Sequence, residues 1–377
     1  MSDRLAVALA YFSVFVGAGV WVPYFPLYLS HLGYGSADIG LVIGMQPGLR
    51  WCGAMGWAWA ADRWRIRHAI LIATTIGGTV FLTLLLVAHE LKALVAVLAL
   101  VSLLHGAVIP MLDATVMDHL SRLGDNYGRL RLWGSLGFVI GSAGAAPLVH
   151  SLTPAVVPML ILIPCVAMIP AVWRLPRGQH EGHAAFAAPW TLLTPALSIF
   201  LFTSVLLQIS CGTWSGFFAV HTASLRLPDT VPGFTYGIAV TAEIALMYWG
   251  RPLLERVAPA ALIQLALVAT VIRWLLSAWV ETLVPVVAVQ VGHVFSFSLF
   301  HLAALRLLAQ LVPRERSTTG QALYGGVSFG IGGSGGLALA GFLVDRFGTH
   351  GAFAAEAAVA LTALVPAGWL ARCVRSR

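Results

Sequence analysis

Charge is what this chain has least of. Charged residues make up only 10% of its 377 positions, where a soluble globular protein carries roughly 25%. Hydrophobic residues reach 59%, so too little polar surface remains to clothe two or three water-facing domains. The solvent for most of the chain is therefore lipid. Cysteine is sparse as well: Cys52, Cys165, Cys211 and Cys373 stand apart with no C-x-x-C spacing, which excludes a disulfide framework or a zinc site and leaves them as small packing residues. Reactive constellations are missing. There is no H-E-x-x-H, no G-x-S-x-G and no phosphate-cradling G-x-x-x-x-G-K-S/T. An intramembrane enzyme and a primary pump thus lose their signatures, and no catalytic residue, metal or cofactor is expected. Large soluble loops, which a receptor would use on a partner, are also absent.

What the chain has is apolar length. A membrane-crossing helix needs about 20 mostly apolar residues, and such stretches recur near 5–31, 36–60, 68–88, 92–118, 128–149, 153–173, 191–221, 233–250, 258–278, 282–309, 318–343 and 350–371. Glycine and proline inside them are tolerated because neighbouring helices re-satisfy the backbone. The first span runs on through Trp21-Val22-Pro23-Tyr24-Phe25-Pro26 with no small-residue cleavage site, so it reads as a span and not as a signal peptide.

The net charge of +7 follows topology. Counted from a cytoplasmic N-terminus, one side receives Arg4, Arg63, Arg65, Arg67, Arg122, Arg129, Arg174, Arg177, Arg251, Arg256, Arg314, Arg316, Arg372, Arg375 and Arg377, while the other receives Lys92, Arg226 and Arg346. This asymmetry predicts a multi-pass protein of the inner (plasma) membrane with both termini cytoplasmic. Basicity of that origin does not imply a nucleic-acid partner. The expected partners are the lipid bilayer, a small-molecule substrate and protons, and a monomer is expected.

The longest hydrophilic stretch, around Arg174-Leu175-Pro176-Arg177-Gly178-Gln179-His180, divides the chain into halves at 1–174 and 191–377, joined by a cytoplasmic linker at 175–190. The halves repeat. A shift of 192 residues places Gly128, Gly134, Gly141 and Gly144 on Gly320, Gly326, Gly333 and Gly336, and a shift of 193 places Trp21 and Phe25 on Trp214 and Phe218. With four more loop residues, Gly40 and Gln46 fall on Gly237 and Glu243. Two parallel six-helix halves with a site near the midplane form a transporter architecture.

Between spans two and three stands Gly56-Trp57-Ala58-Trp59-Ala60-Ala61-Asp62-Arg63-Trp64-Arg65. It resembles the loop motif of the major facilitator superfamily, in which Asp62 and Arg63 would gate: Asp62 accepts from a facing helix N-terminus, and the arginines hold the cytoplasmic face. The second-half equivalent, Arg251 to Arg256, is degenerate. Gly128-Arg129-Leu130-Arg131-Leu132-Trp133-Gly134-Ser135-Leu136-Gly137-Phe138 is similar to the start of span five in the lactose permease-like branch, most of all in the phenylpropionate permease family and its nucleoside-symporter relatives. Arg50, Ala242-Glu243-Ile244, Arg273-Trp274 and the set Gln290, His293, His301 extend the resemblance over essentially the whole chain. It implies an all-α membrane protein of twelve transmembrane helices in two pseudo-symmetric six-helix bundles, working as a secondary active transporter.

Ionised side chains at mid-bilayer cost at least about 2.5–3.5 kcal/mol, so Arg50, Asp113, Arg131, Glu243, Arg273, His293, His301 and Arg306 must each find a partner or a task. The resemblance to the lactose permease-like branch makes Asp113 and Arg131 a substrate-binding ion pair and sets Glu243, Arg273 and His293 in the places of its proton-handling residues. Ser296 stands where that branch has its proton-releasing acid. Glu243 is then the acid left for coupling, since Glu356 is expected near the outer surface. A carboxyl group in a low-dielectric cavity can hold a proton at neutral pH, and an adjacent Arg273 favours its release when substrate arrives. His293 and His301 are the other candidates for proton coupling. Aromatic and amide stripes supply the rest of the substrate site: Trp21, Tyr24 and Tyr28 on span one, Trp214 and Phe218 on span seven, Gln46 and Gln290, and Gln321, Tyr324 and Ser328 on span eleven. Three deep arginines, Arg50, Arg131 and Arg273, outnumber the deep acids, which favours an organic anion; the family resemblance implies a proton-coupled symporter and makes an aromatic carboxylate the favoured substrate. The alternatives are a proton-coupled nucleoside or sugar symporter and a proton-antiport exporter.

Overall fold

The computed structural model describes residues 2–120, 127–176 and 189–375, and Arg122, Arg177, His180, Arg377 and most of the expected 175–190 linker lie outside them. The described chain is helical from end to end. In order it forms α1 (Asp3–His31), α2 (Ser36–Trp64), α3 (Arg67–Thr83), α4 (Leu91–His105), α5 (Val108–Asp118), α6 (Tyr127–Leu152), α7 (Val157–Trp173), α8 (Pro195–Ile209), α9 (Gly212–Ser224), α10 (Val231–Trp249), α11 (Arg251–Arg256), α12 (Pro259–Ser277), α13 (Leu283–Gln290), α14 (Phe300–Leu311), α15 (Ser317–Tyr324), α16 (Gly333–Thr362) and α17 (Leu364–Arg375). Two π-helical stretches, Val294–Leu299 and Gly325–Gly332, interrupt spans ten and eleven.

Among the described residues, nine segments are long and apolar enough to cross a membrane. One of them, Thr319–Cys373, holds two crossings joined at Gly348, whose φ of 67° breaks α16. The crossings missing from that set are α2 and α10, the helices that carry Arg50 and Glu243, where polar and small residues lower the mean hydropathy. With these the twelve spans are complete. Large apolar residues such as Trp133, Phe202, Ile272 and Leu276 are exposed, as lipid-facing helix surfaces require.

Local chemistry sets the helix ends and breaks. Ser2 caps α1 by accepting the Leu5 N–H at 3.4 Å, and Thr194 caps α8 through the Leu197 N–H at 3.3 Å with Pro195 at the first helical position, both ordinary N-terminal devices. Span four breaks between α4 and α5 at Gly106-Ala107. Span seven breaks between α8 and α9 at Ser210-Cys211, where the Ser210 hydroxyl donates to the Leu207 carbonyl at 2.7 Å.

The chain divides into two compact units: residues 1–34, 45–184 and 232–237, and residues 35–44, 185–231 and 238–377. In the first, Tyr11, Leu71, Leu112 and Met168 share a buried core. In the second, Phe200, Leu267, Phe300 and Tyr324 do so. Residues 35–44 of α2 belong with the second unit because Gly40 lies against the backbone of Gly341, a Cβ on it falling 2.6 Å from the Gly341 Cα.

The internal repeat has a packing counterpart. Gly19 meets span five so closely that a Cβ would stand 2.3 Å from the Phe138 carbonyl oxygen, and its repeat mate Gly212 meets span eleven with a Cβ 2.1 Å from the Gly336 carbonyl oxygen. Only glycine allows backbones to approach in this way. Two residues further on, Trp21 stacks on Phe25 at 4.0 Å, and Trp214 packs on Phe218 at 4.6 Å.

Candidate functional site

Each unit places an arginine over its repeat-related tryptophan. In the first unit the Arg50 guanidinium carbon lies 5.8 Å from the Trp21 ring centroid. In the second, that of Arg273 lies 4.5 Å from Trp214 and 4.2 Å from Trp274, so the guanidinium is held between two indoles. Cation–π contacts of this kind strengthen on desolvation. The two arginines differ in everything else.

Arg273 is 2% exposed and densely bonded. Its Nε and Nη2 donate to the Gln290 Oε1 at 3.0 and 2.6 Å, and Nη1 donates to the Ser296 Oγ at 2.7 Å. Gln290 in turn donates to the Ser277 hydroxyl at 2.9 Å. Nη1 also lies 3.1 Å from the His293 Nδ1. Because a guanidinium only donates, Nδ1 must accept, which puts the ring hydrogen on Nε2. That Nε2 is 2.9 Å from the Glu243 Oε1, and so donates to it. The hydrogen-bond network thereby assigns the tautomer of His293. Glu243 and Arg273 do not meet directly; a neutral imidazole bridges them.

The spacing expected on span ten survives its π-helix. His293 stacks on Phe297 at 5.6 Å and Phe297 on His301 at 6.0 Å, and His301 faces the Tyr324 hydroxyl at 3.3 Å. Span eleven departs from expectation. The π-helix at Gly325–Gly332 changes the register after Tyr324, so the regular stripe of Gln321, Tyr324 and Ser328 is not continuous. Tyr324 is buried on Phe200, whereas Gln321 is exposed and joins neither cluster.

In the first unit, Asp113 of α5 accepts from the hydroxyls of Tyr11 and Tyr127. Arg131 lies 4.1 Å from the Phe15 ring and 5.6 Å from the Tyr11 ring, and acts on Asp113 only through its field. The direct ion pair expected between Asp113 and Arg131 is therefore replaced by two tyrosine bonds and an aromatic platform. Tyr24 and Gln46 are buried in α1 and α2.

Arg50 contrasts with all of these. Its side chain is exposed. Among the described residues no side chain or carbonyl accepts a hydrogen bond from its guanidinium, and no carboxylate lies within ion-pair distance.

Arg306 finds the partner expected of a charge in a span, donating to the Val257 carbonyl at 3.3 Å. Two sequence expectations need correction. Asp62 is exposed and lies 4.0 Å from the side chain of Arg67, the first residue of α3, which itself pairs with Asp118 at 2.5 Å, so among the described residues the motif acid meets a guanidinium and accepts from no helix N–H. Glu356, expected near the outer surface, is 0% exposed and accepts the Thr213 N–H at 2.7 Å, so Glu243 is not the only deep acid of the second half. Sequence reasoning also passed over Tyr11, Phe15 and Tyr127. Tyr127, one turn before Arg131, was the available signal; Tyr11 and Phe15, a turn apart on span one, carried none.

Comparison with known proteins agrees with this architecture. The MFS_1 like family model matches residues 5–355. The probable 3-phenylpropionic acid transporter of Escherichia coli (strain K12) is 28% identical over 95% of this chain and 95% of its own length. The maltose permease of Geobacillus stearothermophilus is 26% identical over 90% and 87%. Among solved structures, the nucleoside transporter NupG superposes with a TM-score of 0.85 at 16% identity over 98% and 99% of the two chains, and the human organic anion transporter MFSD10 with 0.66 at 15% over 97% and 98%; both likenesses concern the fold. The chain belongs to the MFS_1 like family and is a secondary transporter of the major facilitator type.

Proposed function

We propose that this transporter carries a small aromatic carboxylate across the inner membrane by proton symport. The observation that carries the reading is the difference between its two tryptophan-capped arginines. Arg273 meets acceptors with all three of its nitrogens, while Arg50 is accessible with no acceptor among the described residues. An uncompensated cation in a low-dielectric setting favours an anion strongly, and the Trp21–Phe25 stack beside it offers an apolar face to an aromatic ring. A carboxylate two or three carbons from a phenyl group fits both. The similarity to a 3-phenylpropionic acid transporter supports the same class. Asp113, Arg131, Tyr24, Gln46 and Trp214 complete the substrate-binding set in this reading, with Gln290 and Tyr324 as further contacts.

The Glu243–His293–Arg273 chain handles the proton, with His301 next along the ring stack. When Arg273 turns toward the substrate anion, the His293 Nδ1 loses its donor and accepts a proton, and the Nε2 proton can pass to Glu243. Asp62, Arg67 and Asp118 join the cytoplasmic ends of spans two, three and four and gate the path, with Arg63 beside them. Both termini face the cytoplasm.

Uptake of radiolabelled 3-phenylpropionate into proteoliposomes tests the proposal. Accumulation should require an inward proton gradient. Arg50→Gln should raise the half-saturation concentration by about tenfold or more, since a hydrogen bond to a charged group is worth roughly 1.5–3 kcal/mol. The thermal stability of that variant should change little, because Arg50 has no hydrogen-bond acceptor to lose, only its contact with the Trp21 ring. Uptake of uridine or maltose in its place, unaffected by Arg50→Gln, would transfer the assignment to a nucleoside or sugar carrier. Accumulation driven by an outward gradient would make it an exporter.

A further inference from the structure

Glu356 is a buried acid that the transport cycle described above leaves without a task. It lies beyond the Gly348 break of α16, and no part of it reaches solvent. Its Oε1 accepts the N–H of Thr213, the second residue of α9, at 2.7 Å. Its Oε2 has no hydrogen-bond partner among the described residues. The titratable and charged groups around it are Cys211 of span seven and the Arg273 guanidinium of α12, which acts from beyond ion-pair distance. His350 on its own helix, turned to the Ala278 carbonyl at 2.9 Å, and His221, whose ring lies 5.1 Å from Phe353, complete the surroundings.

The same face of span twelve builds both walls around Arg273. Glu356 holds the first turn of α9, and the next residue there is Trp214, one wall of the guanidinium sandwich. Phe353, one turn before Glu356, stacks at 5.6 Å on Trp274, the other wall. A change at Glu356 therefore reaches Arg273 through a single backbone hydrogen bond.

We propose that Glu356 is a second proton-binding carboxyl group of this transporter, coupled to the Arg273 cluster through Thr213 and Trp214. The proposal deepens the proton-coupled reading and rests on it for its role in transport, but not for its test. An ionised carboxylate wholly out of solvent, met only by the N–H and hydroxyl of Thr213 and with no adjacent cation, is strongly disfavoured. The neutral acid suits the site: its carbonyl oxygen accepts from the orphan N–H at the α9 N-terminus, and Oε2 carries the proton. Release follows when a positive charge comes near, and Arg273 on the adjoining helix is the group able to supply it. The step is the loss or gain of one proton at Oε2, exchanged with water; no other bond changes.

Infrared spectra of the purified, ligand-free protein at neutral pH test it, because a protonated carboxyl has its own C=O stretch. Glu356→Gln keeps an acceptor for the Thr213 N–H but cannot titrate. It should lose one protonated-carboxyl component that Glu243→Gln retains. Should the glutamine variant fail to fold, Glu356→Asp should shift that component in frequency. An unchanged band in either folded variant overturns the proposal and leaves Glu356 as an ionised helix cap. In proteoliposomes loaded by a proton gradient, Glu356→Gln should change the pH profile of 3-phenylpropionate uptake, whereas equal slowing at every pH would mark a purely structural role. If 3-phenylpropionate is not carried at all, the substrate reading fails while the infrared result stands on its own.

Discussion

Glu243→Gln isolates the chemistry of the proton relay from its packing. Glutamine has nearly the same size, and its side-chain carbonyl can still accept from the His293 Nε2, now 2.9 Å from the carboxylate. The change exchanges a charge-assisted hydrogen bond, worth roughly 1.5–3 kcal/mol, for a neutral one of about 0.5–1.5 kcal/mol, so the loss is on the order of 1 kcal/mol. Arg273 keeps Gln290, Ser296 and both indole walls. It therefore stays compensated, and the large penalty of an orphaned buried charge does not arise. In a unit of this size the melting temperature should fall by about 2–4 °C. Function should change far more. Without a titrating group at the end of the relay, His293 has nowhere to pass its proton, and gradient-driven accumulation in proteoliposomes should collapse to simple equilibration. Exchange of labelled for unlabelled substrate should persist, because a permanently neutral carrier can still cycle when loaded on both sides. A stable Glu243→Gln protein that accumulates substrate as the parent does would remove Glu243 from the relay. A melting temperature lower by 10 °C or more would refute the energetic argument by showing that the carboxylate charge holds Arg273 after all.

Two further outcomes can be checked independently. Gly53 of α2 sits against α4 so closely that a Cβ would stand 2.1 Å from the Leu103 carbonyl oxygen; because backbone cannot give way as a side chain does, Gly53→Ala should destabilise by about 3 kcal/mol, the upper part of the range for overpacking. An unaltered thermal unfolding curve would contradict that close approach. For orientation, a membrane-impermeant maleimide applied to intact cells should label a cysteine at Glu281, between spans nine and ten, and spare one at Glu315, between spans ten and eleven. The reverse pattern would invert the topology.

Much of this molecule is written in one dimension. Lipid allows only structures that satisfy their own backbone, so apolar length alone prescribes helices, and the arginine asymmetry prescribes their direction. The Trp21 and Trp214 platforms were legible as a repeat because duplicated packing demands the same residues at the same spacing; the Gly19 and Gly212 contacts emerged only from the structure. The grouping of Glu243, Arg273, His293 and Gln290 was legible for a related reason: a polar group in an apolar span has few places to be except beside another.

Partner choice was not legible, because it depends on which faces of non-adjacent helices meet and at what height. Sequence put Asp113 with Arg131, but two tyrosine hydroxyls reach the acid first. It put Arg273 beside Glu243, whereas His293 stands between them and fixes its own tautomer. It put Glu356 at the surface, since a position seven or eight residues into a span says nothing of depth when the helix preceding it breaks at Gly348 and the helix facing it breaks at Ser210. Helix content and count follow from local chemistry and the solvent. Only the tertiary packing decides which charges meet an acceptor and which, like Arg50, are left without one among the described residues.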